Sequence, residues 1–338
     1  MRTFLRLLLA LFVGLAMSSQ AASAGTRVVL AVGGKTTLYY LPLAIADRLG
    51  YFRDEGLDVE INDFPGGAKA LQAMIGGSAD VVSGAFEHTI TMQTLGQKVE
   101  AFVLQNTNPG ISLGISRAKA ADYTWPKDLK GMTIGISAPG SSTQMLVNHL
   151  LSSVGLTADD VSWVGVGTGS TAVAAMRTGR IDALSGAEPV MSLLEHSGDL
   201  KVVVETTTDA GVRAVFGGPL PAATLYTKAA FVEEHPAIVQ ALTNAMVRAL
   251  KWLQNATPDE IADTVPPEYL FGDRTLYLSA YQKLRNTYSK DGRISKNLVR
   301  NSYEVLRQHN AAVRRAPVLW LGQTYTNKFV EQALKKYP

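Results

Sequence analysis

An internal repeat constrains the fold of this chain more than any other feature of its sequence. Residues 71–85 (LQAMIGGSADVVSGA) and 173–187 (VAAMRTGRIDALSGA) are identical at seven of fifteen positions, with an offset of 102 residues. Each copy has the pattern of a helix, a glycine turn, an aspartate that begins a strand, and a Ser-Gly-Ala exit from that strand. Gly67 and Gly169, which precede the two helices, also align. The repeat therefore predicts two related α/β lobes.

The chain around the repeat alternates between short apolar runs and amphipathic runs of helical length. We predict strands at 27–32, 58–61, 80–84 and 98–105 in one lobe and at 133–136, 161–166 and 181–186 in the other. Such alternation is typical of a parallel sheet covered by helices on both faces. After about residue 222 the pattern changes to long helices. The predicted fold class is therefore α/β, with two lobes, a cleft between them and a helical C-terminal region.

The first 24 residues have the pattern of a secretory signal peptide. A basic start, MRTFLR, precedes an apolar stretch of eleven residues and the small-residue sequence Ala22-Ser23-Ala24. The apolar stretch is shorter than the roughly 20 residues that span a bilayer, which argues against a membrane anchor. We expect cleavage after Ala24 and export to the periplasm. The lack of a cysteine near this site argues against a lipid anchor.

Composition excludes several classes of function. The chain of 338 residues has no cysteine, which rules out thiolate metal sites, disulfide bonds and cysteine nucleophiles. Its formal net charge is +3, and Arg2 and Arg6 supply two of these charges, so the mature chain would carry about +1. The basic residues are scattered, without a dense cluster or interleaved aromatic residues. Nucleic acid is therefore not an expected partner.

Two loops resemble nucleotide-binding motifs without satisfying them. GGKT (33–36) lacks the glycine that a P-loop requires five positions before Gly34, where the chain has Val29. GVGTGS (165–170) has Ser170 in place of the last glycine of a dinucleotide-binding loop. There is no G-x-S-x-G, and the five histidines show no metal-ligand spacing. We therefore expect no cofactor, no metal and no catalysis, although the adjacent Glu87 and His88 could serve an enzyme as an acid–base pair.

Polar and aromatic residues cluster where the predicted strands end. In open α/β sheets, ligands bind outside the carboxyl ends of the strands, where backbone donors and helix N-termini converge. The run GISAPGSSTQML (135–146) has a strand, a polar loop and a helix start, which suits an anionic or polar group. The predicted ligand-binding residues of the first lobe are Gly33, Thr36, Tyr39, Tyr40, Phe64, Gly66, Gly67, Ala85, Phe86, Glu87 and Asn106. Those of the second lobe are Ser137, Ser141, Ser142, Thr143, Gly169, Ser170 and Glu188.

Each of these residues also has a structural alternative. Tyr39 or Tyr40 could belong to the core, Phe64 could anchor its loop, and Thr143 could be only the N-cap of a helix. What favours the binding site is that both lobes end in such loops, so that two sets of loops would face one cleft.

Five segments carry a family resemblance: YYLPLAIADRLGYFRDEGLDVEI (39–61), GGSADVVSGAFE (76–87), WPKDLKGMTIGISAPGSS (125–142), TGRIDALSGAEPV (178–190) and YTKAAFVEEHPAIVQAL (226–242). In this order they resemble periplasmic solute-binding proteins of the nitrate/sulfonate/taurine type, the NMT1/THI5-like group. The resemblance covers nearly all of residues 27–255. An enzymatic branch of this group makes the thiamine pyrimidine with a cysteine-rich motif, which this chain lacks.

The resemblance implies a type II periplasmic-binding fold, in which two lobes close on a solute. It places lobe 1 at 25–114, lobe 2 at 115–216, and a return to lobe 1 with the C-terminal helices at 217–338. The crossing segments would lie near Leu113–Arg117 and Arg213–Gly218. The protein would act as a monomer and dock on the membrane permease of an ABC importer.

The resemblance favours a small anion as the solute: an alkanesulfonate, taurine or nitrate. Three basic residues could add positive charge to the cleft, namely Lys35, Lys69 and Arg213. Glu87 and Glu188 argue against a simple inorganic anion, because carboxylates repel nitrate but could hold an amine or a heterocyclic N–H. The aromatic residues of the predicted site could stack on a ring. The alternatives are therefore an aromatic carboxylate, a pyrimidine precursor of thiamine, or an exported hydrolase or lyase that uses Glu87 and His88.

Overall fold

The computed structural model describes residues 25–338 of the chain. The predicted signal peptide and its cleavage after Ala24 lie outside the described residues. Among residues 25–338, no helix combines the length and the apolar character needed to cross a bilayer.

Two five-stranded sheets form the two predicted lobes. The first sheet has the strand order β2-β1-β3-β10-β4 and consists of β1 (Thr26–Val32), β2 (Leu57–Asp63), β3 (Val81–Ala85), β4 (Val99–Leu104) and β10 (Ala223–Lys228). The second has the order β7-β6-β8-β5-β9 and consists of β5 (Ile111–Ser116), β6 (Thr133–Ile136), β7 (Ser162–Gly165), β8 (Ala183–Ala187) and β9 (Leu200–Glu205). The predicted two-lobed α/β fold is thus confirmed.

Each sheet is mixed, whereas the alternation of strands and helices predicted parallel sheets. Strand β10 runs antiparallel to β3 and β4, and β5 runs antiparallel to β8 and β9. Each of these two strands follows a crossing from the other lobe, so it enters its sheet from the opposite end. No helix precedes it on its own lobe, which is why the alternating pattern did not predict it.

The helices cover the faces of the sheets and form the C-terminal region. They are α1 (Leu41–Arg48), α2 (Tyr51–Asp54), α3 (Gly67–Ile75), α4 (Glu87–Gln93), α5 (Ser142–Ser153), α6 (Ser170–Arg177), α7 (Val190–His196), α8 (Asp209–Phe216), α9 (Ala229–Glu234), α10 (Pro236–Asn255), α11 (Pro258–Thr264), α12 (Arg274–Leu284), α13 (Lys296–His309), α14 (Ala311–Arg315) and α15 (Lys328–Lys336). Pro236 and Pro258 occupy first helical positions, where a missing N–H costs least.

The internal repeat corresponds to the same structure in both lobes. Strands β3 and β8 are related by the offset of 102 residues that the sequence shows. At their starts, Asp80 Oδ2 accepts the Val29 N–H at 2.8 Å and Asp182 Oδ2 accepts the Thr133 N–H at 2.9 Å. Each aspartate therefore ties its strand to the neighbouring parallel strand, which explains why it recurs in the repeat.

The chain passes between the sheets at residues 105–110 and 217–222. The predicted crossing near Leu113–Arg117 lies instead largely within β5, where Leu113 is fully buried. The sequence feature that marks the crossing is the dipeptide Pro109-Gly110 just before β5, where the glycine has a φ of +59°. The predicted lobe boundary at residue 114 falls inside β5, and we propose 105–110 as the first boundary.

The C-terminal helices pack mainly on the first lobe, as the resemblance implied. Helix α10 lies against α1 and α2, and α15 lies against α10 and β4. Helices α12 and α13 also reach the second lobe, where they contact α7 and α5. The C-terminal region therefore spans the side of the cleft as well as the back of lobe 1.

Candidate ligand-binding site

The loops that follow the strands of the two sheets face each other and touch. The Ala68 N–H of lobe 1 donates to Ser141 Oγ of lobe 2 at 3.0 Å. The Leu38 N–H of lobe 1 donates to the Glu188 carbonyl of lobe 2 at 2.9 Å. The two lobes therefore stand in a closed arrangement.

A small space between the lobes, which we call the cleft cavity, lies at this junction. Its volume is about 40 Å³, and a water molecule needs roughly 10–15 Å³ in such a cavity. It has room for a few waters or for a head group of a few heavy atoms. Its lining consists of Gly33, Thr37, Tyr39, Tyr40, Gly67, Ile111, Ser137, Ser141, Ser142, Thr143, Thr168 and Ala187.

The first turns of two helices line the cleft cavity from opposite lobes. Gly67 is the first residue of α3, and Ser142 and Thr143 are the first two residues of α5. The first four N–H groups of a helix have no partner within the helix. The helix dipole adds positive potential at the same place. The cavity therefore offers an environment that suits an acceptor or an anion, and residues 135–146 supply one of its two helix N-termini.

Hydroxyl groups of the second lobe are held together beside these N-termini. Thr143 Oγ1 accepts the Ser137 N–H at 3.0 Å and lies 2.9 Å from Ser137 Oγ. The N-cap of α5 is Ser141, which has extended backbone dihedrals, so Thr143 is not the N-cap. The Thr143 hydroxyl instead fixes the turn after β6 by its contacts with Ser137. Ser141 and Ser142, the residues just before it, also line the cavity.

Two glycines allow the lobe 1 loop to approach its neighbours closely. A Cβ at Gly33 would lie 2.2 Å from the Gly67 nitrogen. Gly34 has a φ of +100°, and its Cβ would lie 2.2 Å from Thr168 Oγ1 in the opposite lobe. Any larger residue at these two positions would push the loop away from α3 or from lobe 2.

Tyr39 and Tyr40 form one wall of the cavity and are nevertheless almost fully buried. Their rings pack edge to face, with centroids 4.8 Å apart. Burial raises the pKa of both phenols, and the nearby Glu87 carboxylate raises it further. Both side chains therefore stay neutral at physiological pH. Tyr39 and Tyr40 therefore belong to the buried core and also line the candidate binding site.

Eight of the predicted residues line the cleft cavity: Gly33, Tyr39, Tyr40, Gly67, Ser137, Ser141, Ser142 and Thr143. The other ten lie outside its lining: Thr36, Phe64, Gly66, Ala85, Phe86, Glu87, Asn106, Gly169, Ser170 and Glu188.

Packing or backbone pairing accounts for four of the residues outside the lining. Phe64 packs against the hydrophobic core of lobe 1 and Phe86 is fully buried within it. Asn106 forms an isolated β-bridge with Tyr288. Gly66 lies at the lobe contact, where its Cβ would be 3.0 Å from Ala138 Cβ. These residues follow strands as predicted, but they contact the core, a neighbouring segment or the opposite lobe and not the cavity.

Glu188 is turned away from the cleft cavity. Its Oε2 accepts the Ser192 N–H at 2.9 Å, which caps α7, and its Oε1 lies 3.4 Å from Lys283 Nζ on α12. Burial raises the pKa of this carboxyl, and Lys283 opposes the shift. The argument that two carboxylates face the solute therefore fails for Glu188.

Glu87 and His88 face a second space, which we call the side cavity. It has a volume of about 330 Å³ and lies between α4, the start of α5 and the end of α13. The His88 Nε2 lies 3.3 Å from the Gly140 carbonyl, which can only accept, so Nε2 carries the proton. Its Nδ1 then accepts from the Tyr226 hydroxyl at 3.0 Å. Both ring nitrogens of His88 are thus engaged with groups other than Glu87.

The predicted basic residues do not line the cleft cavity. Lys69 is exposed and donates to Gln72 at 3.1 Å, Lys35 lines a surface pocket on lobe 1, and Arg213 is exposed on α8. No cationic side chain is among the residues that line the cleft cavity. Within residues 25–338, no three His, Asp or Glu side chains are grouped so that they could hold a metal ion.

Four lining residues were not predicted: Thr37, Ile111, Thr168 and Ala187. Thr168 lies between β7 and α6, directly before the predicted ligand-binding residues Gly169 and Ser170. Thr37 is the neighbour of the predicted Thr36, and its Oγ1 donates to the Gly34 carbonyl at 2.8 Å. Ile111 begins the unpredicted strand β5, so no sequence pattern placed it at the cleft.

Solved structures share this architecture, and a known relative shares part of its sequence. A solved structure from Bordetella bronchiseptica RB50 is 48% identical, with a TM-score of 0.90 over 93% of this chain and 99% of that chain. The alkanesulfonate-binding protein SsuA from Xanthomonas axonopodis pv. citri, bound to MOPS, is 17% identical, with a TM-score of 0.68 over 90% of this chain and 98% of its own. The Bacillus subtilis (strain 168) protein YtlA is 24% identical over 260 residues, 75% of each chain.

A family model agrees with the resemblance seen in the sequence. The model described as NMT1/THI5 like matches residues 37–261, which is well over half of the chain. The match includes the first turns of α3 and α5 and both Ser-Gly-Ala strand exits. The chain therefore belongs to the NMT1/THI5-like family.

Proposed function

We propose that this protein binds a small polar solute between its lobes in the periplasm and delivers it unchanged to the permease of an ABC importer. The observation that carries the proposal is the cleft cavity, which two helix N-termini and three serine hydroxyls border from opposite lobes. A ligand held there would contact both lobes at once. It would therefore stabilise the closed arrangement, which is the state that a permease can distinguish from the empty one.

The lining favours an oxyanion head group over other ligands. Backbone N–H groups at helix N-termini and neutral hydroxyls bind anions without a counter-charge. A sulfonate or nitrate group, with few heavy atoms, fits the small volume of the cavity. Among the relatives, SsuA is named for alkanesulfonate binding, which agrees with this class. We therefore place alkanesulfonates, taurine and nitrate first among the candidate solutes.

An aromatic carboxylate or a pyrimidine is the second candidate class. Only Tyr39 and Tyr40 of the predicted aromatic residues line the cavity, and their rings already pack against each other. Phe64 and Phe86 belong to the core. The aromatic surface offered to a planar ligand is thus smaller than the sequence suggested, which supports the oxyanion class.

The side chains at Glu87 and His88 support binding without catalysis. The two ring nitrogens of His88 are engaged by Tyr226 and Gly140, so the imidazole is not poised beside the Glu87 carboxylate. A hydrolase or lyase would need a positioned acid–base pair next to the reacting atoms. We propose that His88 instead helps to hold the lobes together.

The test is a thermal-shift and calorimetry screen of residues 25–338 with alkanesulfonates, taurine, nitrate, aromatic carboxylates and pyrimidines. A solute present at 100 times its Kd should stabilise the fold by about 2.7 kcal/mol. Ser142→Ala, which removes a lining hydroxyl, should weaken binding by roughly twofold to tenfold. Ser153→Ala, at the exposed end of the same helix, is the matched control and should bind normally.

Two results would overturn the proposal. One is a screen in which no small solute shifts the melting temperature. The other is recovery of a chemically altered solute, by NMR, after incubation with the protein, because that would show catalysis.

A further inference from the structure

Exposed apolar side chains collect around the end of α4 on lobe 1. Among residues 25–338, four large apolar side chains are mostly exposed to solvent: Leu95, Trp125, Val318 and Trp320. Leu95 lies two residues beyond α4, and Val318 and Trp320 lie in the extended segment that follows α14. We call these three side chains the apolar patch. Exposed apolar side chains that cluster, unlike ones scattered singly, mark a binding surface.

Backbone contacts hold the apolar patch in place. The side chain of Gln93 on α4 donates to the Trp320 carbonyl at 3.0 Å and accepts the Trp320 N–H at 2.9 Å. Leu319 packs against the core of lobe 1, and neighbouring side chains of an extended segment point to opposite sides. Val318 and Trp320 are therefore turned to solvent because the residue between them is anchored in the core.

Two arginines border the apolar patch. Arg314 and Arg315 are exposed at the end of α14, which packs on α4. No salt bridge within residues 25–338 involves either of them. The two stretches that build this surface, 88–99 and 305–330, contain no aspartate or glutamate. The patch is therefore bordered by positive charge that no carboxylate of its own segments neutralises.

We propose that the apolar patch, with Arg314 and Arg315, is a docking surface for a phospholipid bilayer that contains anionic lipids. Trp320 and Val318 would enter the headgroup layer, and the two guanidinium groups would meet lipid phosphates. Tryptophan is enriched at the membrane–water interface, and each arginine close to an anionic bilayer strengthens binding about fivefold. The contact is peripheral and reversible. It would keep the protein beside the membrane whichever solute it carries.

Two other occupants fit this surface less well. In a symmetric contact with a second copy, the same patch faces itself, so the arginines of one copy would meet those of the other without a carboxylate between them. A specific protein interface takes about 800 Å² and roughly 20–30 residues from each partner, which three apolar side chains do not supply. A bilayer requires no matching shape, and its anionic surface complements the charge of the patch.

The experiment is co-flotation of residues 25–338, the chain left after the predicted cleavage, with two kinds of vesicle. One kind is phosphatidylcholine alone, and the other is an equal mixture of phosphatidylcholine and phosphatidylglycerol. The protein should bind the mixed vesicles at least about tenfold more strongly at low salt, because two arginines meet the anionic surface. High salt should remove this preference by screening the charges.

Two tryptophan variants test the apolar part of the surface. Trp320→Ala should weaken binding to the mixed vesicles by about tenfold, and it keeps the bonds of Gln93, which go to the backbone of residue 320. Trp125→Ala is the matched control. Trp125 is 63% exposed against 65% for Trp320, but it lies on lobe 2 between Asp122 and Asp128. Its loss should leave vesicle binding unchanged.

Two double variants test the charge. Arg314→Gln with Arg315→Gln should weaken binding to the mixed vesicles by roughly twentyfold and leave binding to phosphatidylcholine alone unchanged. Arg117→Gln with Arg180→Gln removes the same net charge from exposed positions on lobe 2 and should bind as the wild type does. The arginine pair also keeps the proposal open to refutation if Trp320→Ala does not fold, which circular dichroism would show.

Several results would overturn the proposal. These are a wild type that does not bind the mixed vesicles, or equal losses in Trp320→Ala and Trp125→Ala. Binding only to membranes that hold the importer, lost in Trp320→Ala, would assign the patch to the permease and not to lipid. A dimer that depends on Trp320, seen by analytical ultracentrifugation, would assign it to a second copy. Solute binding should be the same in all these variants, so the proposed function is tested separately.

Discussion

His309 should make the protein less stable in mild acid. Its imidazole lies at the end of α13, and its ring centroid is 6.3 Å from that of His149 on α5 of the opposite lobe. Burial, together with the charges of His149 and Arg314, lowers the pKa of His309 to about 4. The folded protein therefore holds His309 neutral at pH values where the unfolded chain protonates it.

The size of the effect follows from the two pKa values. With 6.5 in the unfolded chain and about 4 in the folded protein, the contribution to stability is complete above pH 6.5 and is lost as the pH falls toward 4. The full difference corresponds to about 3 kcal/mol. Between pH 7.5 and pH 5 the loss is about 2 kcal/mol. For a chain of this length, that corresponds to roughly 3 °C in Tm.

The assay is the Tm of ligand-free protein between pH 7.5 and pH 5 for the wild type and for His309→Gln. Titrating groups other than the neighbouring His149 contribute equally to both proteins, so the difference between the two slopes reports His309 together with its coupling to His149. The variant should lose roughly 3 °C less than the wild type over this range, even if lost packing lowers its Tm at every pH. His196→Gln, at an exposed position on α7, should follow the wild-type slope. Parallel profiles for the wild type and His309→Gln would refute the reasoning.

Two further substitutions test the lobe contact and the buried charge. Gly34→Ala should keep the lobes apart because its Cβ would lie 2.2 Å from Thr168 Oγ1, so small-angle scattering should show no compaction on adding a solute that compacts the wild type. Gly56→Ala, which also has positive φ but open space around its Cβ, controls for backbone strain, and compaction of Gly34→Ala would contradict the prediction. Lys283→Met should lower the free energy of unfolding by about 1–3 kcal/mol at pH 7, because it leaves the buried Glu188 without its cation. Urea unfolding should show that loss shrinking in acid, as Glu188 takes up a proton, and an unchanged stability at pH 7 would exclude the pairing.

The sequence predicted the parts of the fold that follow local periodicity. The offset of 102 residues between the two repeat copies is the offset between β3 and β8, and the repeated aspartates make the same backbone contact in both lobes. Strands β5 and β10 were not predicted because their places in the sheets depend on chain crossings. Pairing between distant segments is not encoded in any short window of sequence.

The candidate site was predicted at the level of loops and less well at the level of side chains. Ser141, Ser142 and Thr143 line the cleft cavity because the N-terminus of a helix fixes where its first residues lie. Phe64 and Phe86 follow strands in the same way, yet each turns into the core. Burying an aromatic ring is worth several times more than one contact to a small solute, so packing decides the direction of such side chains.

The two glutamates at the strand exits occupy adjacent positions of the repeat, since Glu188 aligns with Phe86, and their surroundings differ. Both carboxylate oxygens of Glu188 have partners, since one accepts the Ser192 N–H at the start of α7 and the other lies beside Lys283 Nζ. Glu87 is also buried, although slightly less deeply, and its Oε1 has no such partner within residues 25–338. A buried unpaired acceptor lowers the stability of the folded protein by about 1–3 kcal/mol. Of the two glutamates, Glu87 is therefore the one whose burial carries an uncompensated cost, because no internal group replaces the hydrogen bonds that water gives its Oε1 in the unfolded chain.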